Sequence, residues 1–231
     1  MDIIKKLAQE LAVKEEQAKA AVQLIDEGNT IPFIARYRKE MTGALNDETL
    51  RNLHERLLYL RNLEDKKKQV INAITEQGKL TDDLKKKILS AETLVAVDDL
   101  YRPYRPKKQT RATKAKEKGL EPLANILLLQ KTSRSMEEEA QSFVNEAKGV
   151  ANVKEAIAGA KDIIAEMIAD KADYRKSIRN CTMKQGRLVV KAKDEKAESV
   201  YEMYYDFSEP LSKITGYRVL AINRGEKEKF L

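Results

Sequence analysis

The sequence contains no tryptophan, one histidine (His54) and one cysteine (Cys181) among 231 residues. One cysteine excludes an internal disulfide and any multi-cysteine metal site, and it fits a reducing compartment, so a cytoplasmic protein is expected. Nine glycines and five prolines are too few for the many turns of a sandwich or barrel. No apolar run approaches the ~20 residues that span a bilayer, and the start, Met-Asp-Ile-Ile-Lys-Lys, lacks the basic head and apolar core of a signal peptide. No membrane partner is expected. Also absent are a Walker loop, a Gly-x-Ser-x-Gly elbow, a His-Glu-x-x-His pair and a glycine-rich dinucleotide turn. The expectation is therefore a protein that is not an enzyme and holds neither cofactor nor metal. Asp98 and Asp99 are read as partners for Arg102 or Arg105, His54 as a packed or solvent-facing helix residue, and Cys181 as a half-buried small hydrophobe.

What is present is charge and helical periodicity. Charged residues make up 35% of the chain, with abundant Ala, Leu, Glu and Lys, and the fold class expected is mainly α. Ile3, Ile4, Leu7 and Leu11, then Ala18, Ala21, Val22 and Ile25 before Gly28, predict two short helices in a hairpin of helix-turn-helix character. Thr30 to Gly43 predicts a further helix, with Phe33, Ile34, Tyr37 and Met41 on an apolar side and Arg36, Lys39 and Glu40 opposite. Asn46 opens a helix of about eight turns that closes at Gly78, with Glu64 and Lys67 interrupting a heptad seam. Thr81 and Thr93 cap the next two helices. Further on, Val153 to Ile178 keeps a 3.6-residue stripe, predicting one spine helix of roughly thirty residues, in which Gly159 costs ~1 kcal/mol. Arg187 to Ala192 has the pattern of a short strand, and a tyrosine-rich segment and a terminal helix follow. The expected architecture is thus a multi-helix bundle with a helix-turn-helix-like part, a long spine helix and a small irregular or β element near the C-terminus.

Charge is uneven. Between Arg102 and Lys118 stand Arg102, Arg105, Lys107, Lys108, Arg111, Lys114, Lys116 and Lys118 against Glu117 alone, a net of +7 that equals the formal net charge of the whole chain. Pro103 and Pro106, each preceded by arginine, predict an extended course through this connector. Its cations are candidates for contact with nucleic-acid phosphates, joined by Arg36, Arg38 and Lys39 on the earlier helix. Tyr101 and Tyr104 either offer stacking surfaces for single-stranded bases or pack into the bundle. The domain organisation expected is a helical region at 1–100, a proline-braced connector at 101–119, a second helical part at 120–186 and the strand, tyrosines and terminal helix at 187–231.

Several motifs in order carry a resemblance: Thr30-Ile-Pro-Phe-Ile-Ala-Arg-Tyr-Arg-Lys-Glu-Met-Thr-Gly43, Glu76-Gln-Gly-Lys-Leu-Thr81, Asp99-Leu-Tyr-Arg-Pro-Tyr-Arg-Pro-Lys107, Thr110-Arg-Ala112, Glu117-Lys-Gly-Leu-Glu-Pro-Leu-Ala124 and Arg218-Val-Leu-Ala-Ile-Asn-Arg-Gly-Glu226. Together they resemble the N-terminal region of the Tex family of bacterial transcription accessory proteins. The resemblance implies a helical scaffold preceding an RNase H-like domain, helix-hairpin-helix motifs and an S1 RNA-binding domain. It also implies binding of RNA or DNA and a role in transcription without an established catalytic activity. The chain departs from the family pattern at Arg102, where an aliphatic residue is expected, and at Gly216-Tyr217, where Ser-His is expected. On this resemblance the chain stops where the RNase H-like domain would begin. Protein partners expected in the alternative are RNA polymerase or the family's own C-terminal domains.

Overall fold

Local signals set most helix ends. In the computed structural model, which describes residues 2–106 and 108–231, the side chains of Asn46, Thr81 and Thr93 each accept a hydrogen bond from the backbone N–H three residues on. Each cap satisfies one of the orphan donors of a first helical turn. Gly28 and Gly78 close their helices with φ of +86° and +64°, a conformation that costs glycine little. Twelve α-helices and one two-stranded sheet result among the described residues. The chain divides into two compact units, one ending at Pro106 and the other comprising the rest.

The first unit holds α1 (Ile3–Glu10), α2 (Glu15–Asp26), α3 (Ile31–Tyr37), α4 (Asp47–Glu76), α5 (Asp82–Ser90) and α6 (Leu94–Tyr101). Helix α4, 30 residues long and about 45 Å end to end, is its axis. Leu50, Leu53, Leu57 and Leu60 pack with Leu7, Leu24 and Ile34 of α1 to α3. One turn further, Leu63, Val70 and Ile74 pack with Ile88 and Val97 of α5 and α6. Arg56 and Arg61 on α4 make paired hydrogen bonds to Glu10 of α1 and Asp26 of α2, the latter at 2.7 Å each. Lys67 stands in the apolar seam, 1% exposed.

The second unit holds α7 (Arg111–Glu117), α8 (Glu121–Leu129), α9 (Met136–Gln141), α10 (Val153–Ala169), α11 (Ala172–Gln185), β1 (Arg187–Lys191), β2 (Asp206–Pro210) and α12 (Gly216–Lys227). Ala112, Ala115, Leu123, Ala156, Ala160 and Ile163 form one core. A separate cluster of Val190, Tyr201, Tyr204 and Ile222 lies under the sheet and α12. The strands are antiparallel, with Arg187 opposite Pro210 and Lys191 opposite Asp206.

Four expectations change. The stripe from Val153 to Ile178 is carried by two helices, broken where Asp170 ends α10 and Lys171 turns extended (φ −75°, ψ 114°). The physical reason is loss of packing: Ala156, Ala160 and Ile163 are buried on α10, whereas α11 buries no residue. Cys181, expected half-buried, is for that reason exposed. The helix expected to reach Gly43 ends at Tyr37, because residues 38–43 fold into a turn stapled from inside by the buried Thr42 hydroxyl, which donates to the carbonyls of Arg38 and Lys39. The connector is not extended throughout. Arg102, before Pro103, keeps helical angles (φ −51°, ψ −42°) because α6 runs on into a 3-10 turn; Arg105, before Pro106, is extended (φ −65°, ψ 132°). The proline rule is thus obeyed at one position and overridden at the other.

Candidate nucleic-acid interface

Helix α7 forms inside the basic stretch because Thr110 caps it, accepting from the N–H of Thr113 at 3.0 Å, and because two alanines give it an inner face. Ala112 and Ala115 are 3% and 4% exposed and lie against α10. The small side chains allow close approach and turn the long cations outward. Arg111, Lys114, Lys116 and Lys118 are all exposed. Two of them fall in the last turn, where positive charge suits the helix dipole.

These cations are not equally available. Lys118 donates to the carbonyl of Gly149 at 2.6 Å, and Lys116 pairs with Glu121 at 3.1 Å. Arg111 lies 3.7 Å from Asp162, with its side chain 87% exposed, so that pair is loose and solvated. Lys108 and Lys114 are exposed and have no acidic partner among the described residues. Lys107 lies outside the described residues. Lys108, Arg111 and Lys114 are therefore the set best placed to exchange water for phosphate.

Arg102 and Arg105 belong to the first unit. Arg102 is exposed in the 3-10 turn. Arg105 donates to Asp98 at 3.0 Å and lies over the Tyr101 ring at 5.6 Å, and Asp98 also meets Lys66 at 3.5 Å. Tyr101 and Tyr104 pack against the Leu63, Val70 and Ile88 cluster, and Gln77 donates to the Tyr104 carbonyl at 2.9 Å. The structure thus decides for packing over stacking at both tyrosines, and Arg105 braces Tyr101. The eight cations that are contiguous in sequence are divided between two units.

Arg36, Arg38 and Lys39 are exposed on α3 and the turn after it. The expected apolar side of that segment is not a core side. Ile34 alone is buried, while Tyr37 and Met41 are 65% and 52% exposed and Phe33 sits at 36%. The Phe33 and Tyr37 rings are 5.2 Å apart, and the Arg38 guanidinium lies 5.2 Å over Phe33. Gln17 fixes the turn by donating to the Gly43 carbonyl at 2.8 Å. A firmly held turn therefore displays aromatics and cations together. Spacing alone missed this, because the helix ends before its stripe does. Among the described residues no group of three or more His, Cys, Asp or Glu side chains is placed to hold a metal, and no helix is long and apolar enough to cross a membrane.

Comparison with known proteins agrees along the chain. Residues 1–75 match the family description Tex-like protein N-terminal domain, and residues 131–231 match Tex central region-like. The chain is 45% identical over 228 residues to Uncharacterized protein YdcI of Bacillus subtilis, covering 97% of this chain and 32% of the relative. It is 42% identical to Transcriptional accessory protein Tex of Neisseria gonorrhoeae, covering all of this chain and 30% of the relative. It is 30% identical to the human S1 RNA-binding domain-containing protein 1, covering 24% of that protein. The chain thus spans about a third of the length of the bacterial relatives it matches.

Proposed function

The chain belongs to the Tex family, over its N-terminal and central regions, and we propose from that premise that it is a non-enzymatic, cytoplasmic helical scaffold that contacts RNA or DNA mainly through the phosphate backbone. The exposed cationic face of α7, held outward by Ala112 and Ala115, carries this reading. The names of its relatives, one a transcriptional accessory protein and one an S1 RNA-binding domain protein, support it. The α1–α2 hairpin is assigned to packing and not to groove reading. Glu15 and Glu16 occupy the first turn of α2, where a recognition helix presents itself to bases and phosphates.

Counterion release gives the test. If Lys108, Arg111 and Lys114 each neutralise one phosphate, the log-log dependence of affinity on salt carries about −2.1 from them on single strands and about −2.7 on duplex. Fluorescence anisotropy with labelled oligonucleotides across a salt series should show the triple alanine variant losing that much slope. An unchanged slope, or no binding by the unaltered chain at low salt, overturns the assignment.

A second reading has its own observation. Phe33, Tyr37 and Met41 with Arg36 and Arg38 make the composition typical of protein hot spots, and exposed apolar residues recur at Tyr174 and Ile178 on α11 and at Val200, Met203, Tyr217 and Leu220 beyond it. The partner would be RNA polymerase or the C-terminal part of the longer relatives. Tyr37→Ala is then expected to weaken salt-insensitive binding of the purified polymerase about tenfold while leaving oligonucleotide binding unchanged. Loss of oligonucleotide binding in that variant would refute this division of labour.

A further inference from the structure

A second basic stretch is hidden by the charge balance of the chain. Residues 171–193 carry eight lysines and arginines against Asp173 alone, again a net of +7. The two basic stretches together hold +14, and the rest of the chain, with 28 basic and 35 acidic residues, holds −7. Much of this second stretch is α11, a 14-residue helix with no buried residue.

A strut between two clusters explains the exposure of α11 but not its charge. At one end it follows α10. At the other, Gly186 joins it to β1, donating to the Thr182 carbonyl at 2.7 Å and accepting from the N–H of Leu211 at 2.9 Å. A solvated strut is best stabilised by opposite charges four residues apart. On α11 and its cap the positions at that spacing are Lys171, Arg175 and Arg179, a ridge of one sign; Arg175 also donates to the Ala169 carbonyl at 3.3 Å, and Asp173 is the one acidic residue of the helix. Beside the ridge, at the same spacing, stand Tyr174 and Ile178, 46% and 66% exposed. The Lys171 ammonium lies 4.9 Å over the Tyr174 ring.

Helix α10, which precedes α11, also packs against α7. Thr110, the cap of α7, hydrogen-bonds Glu166 at 3.1 Å, and Arg111 meets Asp162 at 3.7 Å. Both acids lie in the last two turns of α10, just before α11 begins. The start of the first basic stretch thus contacts the C-terminal half of α10, and the second follows that helix in the chain.

We propose that α11, entered from the start of α7, is a track for single-stranded nucleic acid. Phosphates lie along Lys171, Arg175 and Arg179, one cation every ~6 Å of helix, and a base stacks on Tyr174. Duplex fits less well, because its base faces are already stacked and leave Tyr174 and Ile178 without a partner. The track is about 21 Å long, the span of about six stacked nucleotides. It rests on the nucleic-acid reading of α7 and adds to it a strand type and a path.

The test uses the whole chain with fluorescein-labelled rU15, dT15 and a 15-base-pair duplex, with poly-L-glutamate as competitor. Lys171→Ala, at a cap position whose side chain makes no capping bond, with Arg179→Ala inside the helix, should leave circular dichroism unaltered and reduce the single-strand salt slope by about 1.4. Tyr174→Ala is expected to weaken rU15 binding about tenfold with the slope unchanged, and Tyr174→Phe to restore it. An unchanged slope in the α11 pair, with loss of slope in the Lys108, Arg111 and Lys114 triple, overturns the track and spares α7. The reverse pattern spares the track and overturns α7. Preference for duplex, or displacement of rU15 by poly-L-glutamate at equal charge, overturns the track in favour of duplex or an acidic protein.

Discussion

Replacing Lys67 by alanine should destabilise the first unit by about 3–5 kcal/mol, the cost of breaking a buried ion pair and opening a cavity at once. Lys67 is 1% exposed on the inner face of α4, and its ammonium donates to Glu64 at 2.8 Å and to the Leu89 carbonyl in the last turn of α5 at 2.9 Å. The long stem fills the seam that the leucines above and below occupy, and the charged head answers the negative end of α5. Lys67→Met keeps the volume but leaves Glu64 without its cation and the Leu89 carbonyl without its donor, so it should still cost about 1–3 kcal/mol, less than Lys67→Ala. Urea denaturation, with hydrogen exchange in peptides from α4 and α5, separates the two variants. Equal loss in both would show that charge, not volume, holds the seam.

The pair also sets a pH dependence. Burial pushes the Glu64 carboxyl up and the hydrogen bond and charge of Lys67 pull it down, and its pKa lies below the ordinary 4.5. Glu10 and Asp26 are lowered in the same direction, chiefly by their hydrogen bonds to Arg56 and Arg61. A carboxyl with a depressed folded pKa binds fewer protons folded than unfolded. Its stabilisation is therefore present above the ordinary carboxylate range and is lost as pH falls through the folded value. The first unit should weaken on acidification, and Lys67→Met should weaken less steeply because Glu64 no longer has its cation. An identical acid profile in the two proteins would sink the assignment of that linkage to Glu64.

Sequence carried the features that depend on neighbours in the chain. Caps at Asn46, Thr81 and Thr93 and stops at Gly28 and Gly78 need only a side chain and the backbone beside it. So does the buried stripe of α4, five leucines from Leu50 to Leu63 whose spacing continues through Lys67 to Val70 and Ile74. What failed depended on distant partners. The stripe from Val153 to Ile178 gives no sign that packing partners run out near Ala169, and there the helix breaks. Strand β2 was hidden because Phe207 and its neighbours become a strand only by pairing with β1. Phe33, Tyr37 and Met41 have a core pattern, but Ile34 alone meets the core once the chain turns at Arg38. The cations of the connector were legible one by one. Their division between two units was not, because Tyr101 and Tyr104 pack into the core of the first unit and Ala112 and Ala115 into that of the second. The basic ridge of α11 is hidden in the net charge of the chain, because acidic residues elsewhere cancel it.

Gly159 reverses an expectation from propensity, and a cavity-free contact is the cause. In an isolated helix Gly159→Ala should gain ~1 kcal/mol. On α10, however, a methyl group at this position would lie 2.4 Å from Cδ1 of Leu120 and 3.2 Å from Cβ of Ala115. Leu120 and Ala115 are 1% and 4% exposed, so neither has solvent to retreat into. Overpacking of this kind costs about 1–3 kcal/mol, and Gly159→Ala should leave the second unit about 1 kcal/mol less stable. Gly159→Leu, which must part α10 from α7 and α8, should cost about 3 kcal/mol or more. The contact with Leu120 can be isolated. Leu120→Val removes the methyl that lies closest, so in the double variant Gly159→Ala should cost about 1 kcal/mol less than it does alone, a coupling within the usual range for touching residues. Urea midpoints of the four proteins in this cycle measure it. Strict additivity would mean that Gly159 is not holding α10 against α8, and that the cationic face of α7 owes its outward placement to Ala112 and Ala115 alone.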